Sequence, residues 1–290
     1  MIMVPIKANN RNAPDKVPSG KPGQQRRHAI RGWGSMRRGG YRRPRDLHNM
    51  GRPLPTALAM LPRLPHLPAD LALVSRPFQV DDTQLDALLD SGLALPPSLA
   101  HAVLKRKVEF LSGRDCARAA LAQAGHAGPF ELPIGDDRAP CWPTGWVGSI
   151  SHSKGCAAAI VAQATAYRGI GLDLERLIPP ERAAPLREQI GHAGEWQLGE
   201  TLGLAPGLWF TLVFSLKEAL FKALYPQVGR YFGFEDATLH AFAPGQGIAR
   251  LRLNADLAPG LPAGTEVAAQ AAWNAEHVLS LCLAPRDAHA

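Results

Sequence analysis

Trp209, Leu212, Val213, Leu216, Leu220 and Leu224 recur at three- and four-residue steps, the spacing of one buried helical face. The pattern predicts a helix over 208–225. A second long helix is expected over 98–124, where Val108, Leu111 and Leu121 form the stripe, Ser98 offers an N-cap and Gly125 a stop. A shorter helix is expected within 81–92 and a charge-rich helical segment within 179–200. Two-residue alternation predicts a strand at 169–175 and several more between 236 and 284, clearest in 249–253 and 277–283. The apolar run Cys156 to Ala162 reads as a buried strand, 71–74 as a short first strand, and Pro129 to Val147 as hairpin and loop. There is no regular strand–helix–strand repeat, and neither GxGxxG nor a Walker loop, so a Rossmann-type nucleotide fold is not expected.

Charge divides the chain. Residues 1–52 carry thirteen Lys/Arg against Asp15 and Asp46, whereas the remainder carries nineteen basic and twenty-three acidic residues. The formal net charge of +7 therefore describes a tail. That tail is rich in Arg, Gly, Pro and Asn and has too little apolar surface to offset its ordering entropy, so it is expected to be disordered. A nucleic-acid-binding function through the tail accounts for residues 1–52 and nothing else, and no nucleic-acid partner is expected. The four cysteines show no CxxC and no metal-ligand spacing, which favours reduced thiols in a cytoplasmic protein. No apolar run approaches the ~20 residues of a membrane-spanning helix.

Candidate chemistry concentrates on two elements. Glu218 and Lys222, four residues apart, leave one side of the central helix. An isolated pair at that spacing is ordinarily a surface ion pair. Upstream, however, Gly169-Ile-Gly-Leu-Asp-Leu-Glu175 alternates so that Asp173 and Glu175 share one face of a strand, roughly 6–7 Å apart. Two strand carboxylates and a helical Glu–Lys pair could build a magnesium-and-phosphate site. Gly148-Ser-Ile-Ser-His-Ser153 reads as a Ser-rich, Gly-flanked turn of a kind that suits phosphate or ribose. Arg114, between Gly113 and Ala117, has room for an anion to approach.

Taken together, Trp142-Pro-x-Gly-Trp-Val-Gly-Ser-Ile-Ser-His152, Gly171-Leu-Asp-Leu-Glu175, Phe214-Ser-Leu-Lys-Glu-Ala-Leu-Phe-Lys222 and Glu109-Phe110…Gly113-Arg114 resemble the 4′-phosphopantetheinyl transferases. Within that family they are similar to the two-lobed monomeric group, like component D of enterobactin synthetase, that activates carrier proteins of siderophore, polyketide and peptide synthetases. The resemblance covers about residues 70 to 284. It implies an α+β fold of two similar lobes related by pseudo-two-fold symmetry, each a small mainly antiparallel sheet on a long helix. Residues 53–166 would form the nucleotide-binding lobe and 167–290 the lobe with metal and catalytic residues. The implied enzyme is of the holo-[acyl-carrier-protein] synthase type. It moves 4′-phosphopantetheine from coenzyme A to a serine of an apo acyl or peptidyl carrier protein. By resemblance Mg2+ is held by Asp173, Glu175 and Glu218, with Glu195 a further carboxylate near it. Glu218 and Lys222 are catalytic, Lys222 also contacting the pyrophosphate. Arg114, Arg138, Ser151 and His152 fall where the family binds the nucleotide end of coenzyme A. A monomer is expected. A non-catalytic coenzyme A binder is the alternative that the intact acidic trio and Lys222 oppose.

Removal of residues 1–52 is expected to leave carrier-protein modification unchanged at high salt, because no motif residue is lost and tail electrostatics are screened there. Comparison of full-length and truncated protein at low and high salt checks this. Loss of turnover at high salt would place the tail inside the working enzyme.

Overall fold

The computed structural model describes residues 61–286, so the basic segment read at 1–52 lies outside the described residues. Strand β1 (Ala72–Pro77) is followed by helix α1 (Asp82–Asp90), helix α2 (Leu104–Gln123), and strands β2 (Trp146–Ser153), β3 (Cys156–Gln163) and β4 (Tyr167–Arg176). Three short helices follow, α3 (Pro180–Ala183), α4 (Arg187–Ile190) and α5 (Ala193–Thr201), then the long α6 (Pro206–Val228). Strands β5 (Ala237–Ala243), β6 (Ile248–Leu253), β7 (Glu266–Trp273) and β8 (His277–Pro285) complete the order.

The strands form two antiparallel sheets, one ordered β1-β3-β2 and the other β4-β8-β7-β6-β5. Strand alternation explains how they stack. From β3, Ala157 and Ala159 pack with Val108, Leu111 and Ala117 of α2. The alternate residues Ala158 and Ile160 pack with Ile170, Leu172, Leu174, Leu279 and Leu281 of the second sheet. Beyond that sheet, Val278 and Cys282 join Leu212, Leu216 and Leu220 of α6. The order is helix, sheet, sheet, helix, and the described residues form one packed unit. The fold is thus α+β, as expected.

Helix α6 begins where Pro206 takes an early helical position that has no amide to satisfy. It ends at Gly229, which caps it at φ 65°, a left-handed conformation that favours glycine. On its sheet-facing side the helix touches β4 backbone to backbone. A Cβ on Gly171 would fall on the carbonyl oxygen of Ala219, and one on Gly169 on that of Ala223. The two glycines of the 169–175 strand are therefore what lets α6 reach the strand that carries Asp173.

Two expectations are corrected. The helix expected over 98–124 is broken into a 3-10 turn at Pro97–Leu99 and α2 proper. Ser98 does not cap it, because Val103 is extended (ψ 151°) and becomes the residue before the helix. Gly148–Ser153 is a strand, not a turn: its serines alternate with Gly148, Ile150 and His152 along β2, and Ile150 is buried against the α2 side.

Replacing Gly171 by Ala is expected to destabilise the fold by about 3 kcal/mol or more, since helix and strand must separate to admit one methyl. Thermal unfolding with circular dichroism checks this. A melting temperature within a degree or two of the parent's would show that the contact yields without cost.

Candidate active site

The two sheets meet where the edge strand β2 runs beside the edge strand β4. They are joined there by side chains. Ser149 Oγ accepts from the Leu172 amide at 2.9 Å and Ser151 Oγ from the Leu174 amide at 3.0 Å. Two hydroxyls two residues apart thus satisfy two amides two residues apart on a strand edge that would otherwise lack partners. At this seam α6 delivers Lys222, whose ammonium donates to Asp173 Oδ1 at 2.7 Å and to the Leu172 carbonyl at 2.9 Å. Ser151 also donates to Asp173 Oδ1, at 3.1 Å.

The acidic residues around Lys222 are under strong electrostatic pressure. Asp173 and Glu218 are 3% and 4% exposed, and Glu175 is partly buried. Burial, then repulsion from Asp173, raises Glu175 from the ordinary 4.5 to about 9 against the pull of Lys222. The same two causes raise Glu218 to about 8. For Lys222 burial acts to lower the pKa, but attraction to Asp173 and Glu218 outweighs it and the pKa rises, so the ammonium stays charged. Asp173 Oδ2 is buried and has no partner. Among the described residues no three His, Cys, Asp or Glu side chains are closed up into a ready cation cage. The donor chemistry nevertheless fits a hard divalent cation: three carboxyls gathered at one place, two of them holding protons that a cation would displace, and one free buried oxygen.

Beside the seam lies a groove of about 420 Å³ lined by Arg114, Trp142, Gly148, Ser149, Gly169, Lys222 and Tyr225, among others. Arg114 is buried, its guanidinium 4.2 Å from the Phe110 ring centre, and its Nε has no partner. Burial, then the neighbouring Arg106, lowers its pKa to about 10, which leaves it charged at neutral pH. His152 faces α2, with Nδ1 3.9 Å from Glu109. Burial, reinforced by Arg106 and Lys222, lowers its pKa to about 3, so it is a neutral imidazole. Arg138 is exposed on a turn at φ 68° between Asp137 and Ala139, both of which line the groove.

The structure thus brings Asp173, Glu175, Glu218, Lys222 and Ser151 together and sets Arg114 on the same groove as Lys222. Glu195 does not join them. Its carboxylate accepts from the Leu239 and His192 amides, each at 2.8 Å, and from Lys217 at 2.9 Å. Both oxygens are taken, and Lys217 spends its remaining protons on the Ile190 and Phe234 carbonyls. Glu195 is the inward acid of α5, paired with a lysine one residue from Glu218, and a cation would have to displace that lysine. Sequence reasoning missed Lys217 and Ser149. In the sequence Ser149 is marked only by its two-residue spacing from Ser151.

Comparison with known proteins follows the same division of the chain. A model described as the 4′-phosphopantetheinyl transferase N-terminal domain matches residues 95–162, and one for the 4′-phosphopantetheinyl transferase superfamily matches 169–282. The chain is 38% identical over 144 residues to 4′-phosphopantetheinyl transferase PptT of Mycobacterium tuberculosis, covering 49% of this chain and 61% of that protein. It is 38% identical over 172 residues to 4′-phosphopantetheinyl transferase Svp of Streptomyces mobaraensis, covering 58% and 68%. With enterobactin synthase component D of Escherichia coli strain K12 the figures are 40% over 125 residues, 43% and 58%. The chain spans about three fifths of the length of the curated relatives it matches.

The two raised carboxyls fix the sign of a pH effect. Glu175 and Glu218 hold protons more tightly folded than unfolded, so the folded state binds more protons between the ordinary value of 4.5 and about 9. Without divalent metal, stability falls as pH rises across that window. Glu218→Gln is expected to raise the melting temperature at pH 8 and to flatten its fall with pH, measured in chelator. An unchanged slope would remove Glu218 from the charge cluster.

Proposed function

This chain belongs to the 4′-phosphopantetheinyl transferase superfamily, and on that premise we propose that it transfers the 4′-phosphopantetheine of coenzyme A to a serine of an apo acyl or peptidyl carrier protein. The serine oxygen forms a bond to the phosphorus that bears pantetheine. The bond from that phosphorus to the bridging pyrophosphate oxygen breaks, and adenosine 3′,5′-bisphosphate leaves. The observation that carries this reading is the buried Asp173–Lys222 pair, flanked by Glu175 and Glu218 and with Asp173 Oδ2 free.

Asp173, Glu175 and Glu218 would hold Mg2+, which supplies charge neutralisation at the pyrophosphate when bound. Lys222 faces the same charge with its ammonium already oriented by Asp173 and the Leu172 carbonyl, so little reorganisation is needed as the leaving group departs. Glu218 must be ionised to accept the serine proton, and its raised pKa would make that carboxylate a stronger base than an ordinary one. Arg114, a charged group at the groove wall, would meet the 3′-phosphate, and the resemblance adds Arg138 and His152 to the nucleotide end. His152 acts there as a neutral hydrogen-bonding group. Phosphoryl transfer of this kind asks for positioning and electrostatics more than for covalent chemistry.

We propose two lobes as well, meeting near residue 166. In support, β1 to β3 lie in one sheet and β4 to β8 in the other, and the two family matches divide between residues 162 and 169. Pseudo-two-fold symmetry, a monomeric state and a cytoplasmic location complete the reading. All four cysteines are unpaired, and among the described residues no helix is long and apolar enough to cross a membrane.

The deciding experiment incubates the protein with coenzyme A, Mg2+ and an apo carrier protein and weighs the carrier by mass spectrometry. The expected result is a gain of one phosphopantetheine; no gain across several apo carriers sinks the reading. Asp173→Ala is expected to lower the rate about 100-fold or more while the protein still folds. Near-parental turnover in that variant at millimolar Mg2+ would take Asp173 out of the metal site.

A further inference from the structure

Ser151 is 1% exposed, and its hydroxyl makes three contacts. The Leu174 amide donates to it at 3.0 Å, it lies 3.1 Å from Asp173 Oδ1, and Lys222 Nζ lies at 3.4 Å. A hydroxyl has one proton to give and two lone pairs to receive. The amide and the ammonium are donors only, so both must be received. The single serine proton therefore goes to Asp173 Oδ1. No donor capacity remains for a phosphate oxygen.

Two donors, Ser151 and Lys222, thus pin one oxygen of Asp173. The other oxygen, Oδ2, is buried without a partner. Because Ser151 is itself anchored to the β4 backbone at Leu174, the carboxylate is fixed against the strand that carries it. Turning the carboxylate out of this pose breaks the serine bond, and a half turn only exchanges two equivalent oxygens, so one oxygen is always left over. We propose that Ser151 is a positioning residue for the metal site: by holding Asp173 Oδ1 it presents Oδ2 as a preset ligand for the divalent cation. The resemblance had assigned Ser151 to the nucleotide end of coenzyme A, so the two roles make different predictions.

Ser149 supplies the control. It makes the equivalent bond from β2 to β4, accepting from the Leu172 amide at 2.9 Å, and its hydroxyl makes no contact with Asp173. Ser149→Ala therefore removes a strut of the seam without releasing the carboxylate.

The inference rests on the metal reading of the acidic group, and its test reads metal binding directly. Binding of Mn2+ to the full chain is followed by electron paramagnetic resonance, and coenzyme A binding by calorimetry. Loss of a group that orients a metal ligand typically costs 10- to 100-fold in affinity. Ser151→Ala is expected to weaken Mn2+ at least tenfold and to change coenzyme A affinity less than twofold in the absence of metal. Ser149→Ala is expected to leave Mn2+ affinity within twofold of the parent even if it melts earlier. Ser151→Cys, nearly the same size with a weak donor, should fall between Ser and Ala, and it provides the comparison should Ser151→Ala fail to fold. Unchanged Mn2+ affinity in both Ser151 variants, or equal weakening in Ser149→Ala, overturns the proposal and leaves the transferase reading standing. Weakened coenzyme A with intact Mn2+ affinity overturns it in favour of the nucleotide role. A parent protein that binds no Mn2+ removes the metal reading itself, and the inference with it.

Discussion

The site depends on a contact made by atoms that are absent. Strand β4 and helix α6 approach closely because Gly169 and Gly171 place no side chain between the strand and the Ala223 and Ala219 carbonyls. That approach fixes the depth at which α6 lies. It sets Lys222 against the edge carbonyl of Leu172 and opposite Asp173. Any side chain at the two glycines would lift the helix and take the ammonium with it. The rest of α6 is organised to hold that depth: Leu212, Leu216 and Leu220 are buried in the core it shares with β8.

Two buried ion pairs on one helix show how a fold separates support from chemistry. Lys217 and Glu195 use nearly all their hydrogen-bonding capacity on each other and on backbone groups of three segments. Their desolvation is offset locally, and they tie α5 and the chain before β5 to α6. Lys222 and Asp173, on the neighbouring face, are paired only in part. One carboxylate oxygen is left over, and two more carboxyls are forced close to it against their own solvation. An incompletely satisfied buried cluster is costly to keep, and this one sits where the family's chemistry is expected.

What the sequence made legible was whatever repeats locally. The apolar stripe of 209–224 and the Gly-x-Gly-x-Asp-x-Glu alternation are periodic, and α6 and β4 appear where they were expected, each extended at its ends. What stayed hidden was set by pairing, ion-pair partners and backbone geometry that spacing does not report. Gly148–Ser153 looks like a turn because serine and glycine are poor strand formers. It is a strand because it pairs with β3 in a hairpin, Gly148 opposite Val161 and His152 opposite Ala157, which leaves Ser149 and Ser151 to meet the edge of β4. Glu195 looked like a member of the acidic group because nothing nearby in sequence announced that Lys217 would claim it. Val103 ended the apparent continuity of 98–124 through a backbone geometry that helical propensity does not report.

The order in which the chain is made bears on the site through β4. Its neighbour within the five-stranded sheet is β8, with Asp173 opposite Ser280. A growing chain that has emerged through Trp273 already carries every residue of the acidic cluster and the lysine that faces it, yet the strand bearing Asp173 still lacks its ladder. Pairing segments so far apart in sequence costs more closure entropy than pairing neighbours. The candidate site thus takes the ladder of its strand from residues 277–285, a segment that holds none of the acidic cluster. A chain broken off before that point therefore carries the acidic cluster and its lysine without the strand that completes their sheet.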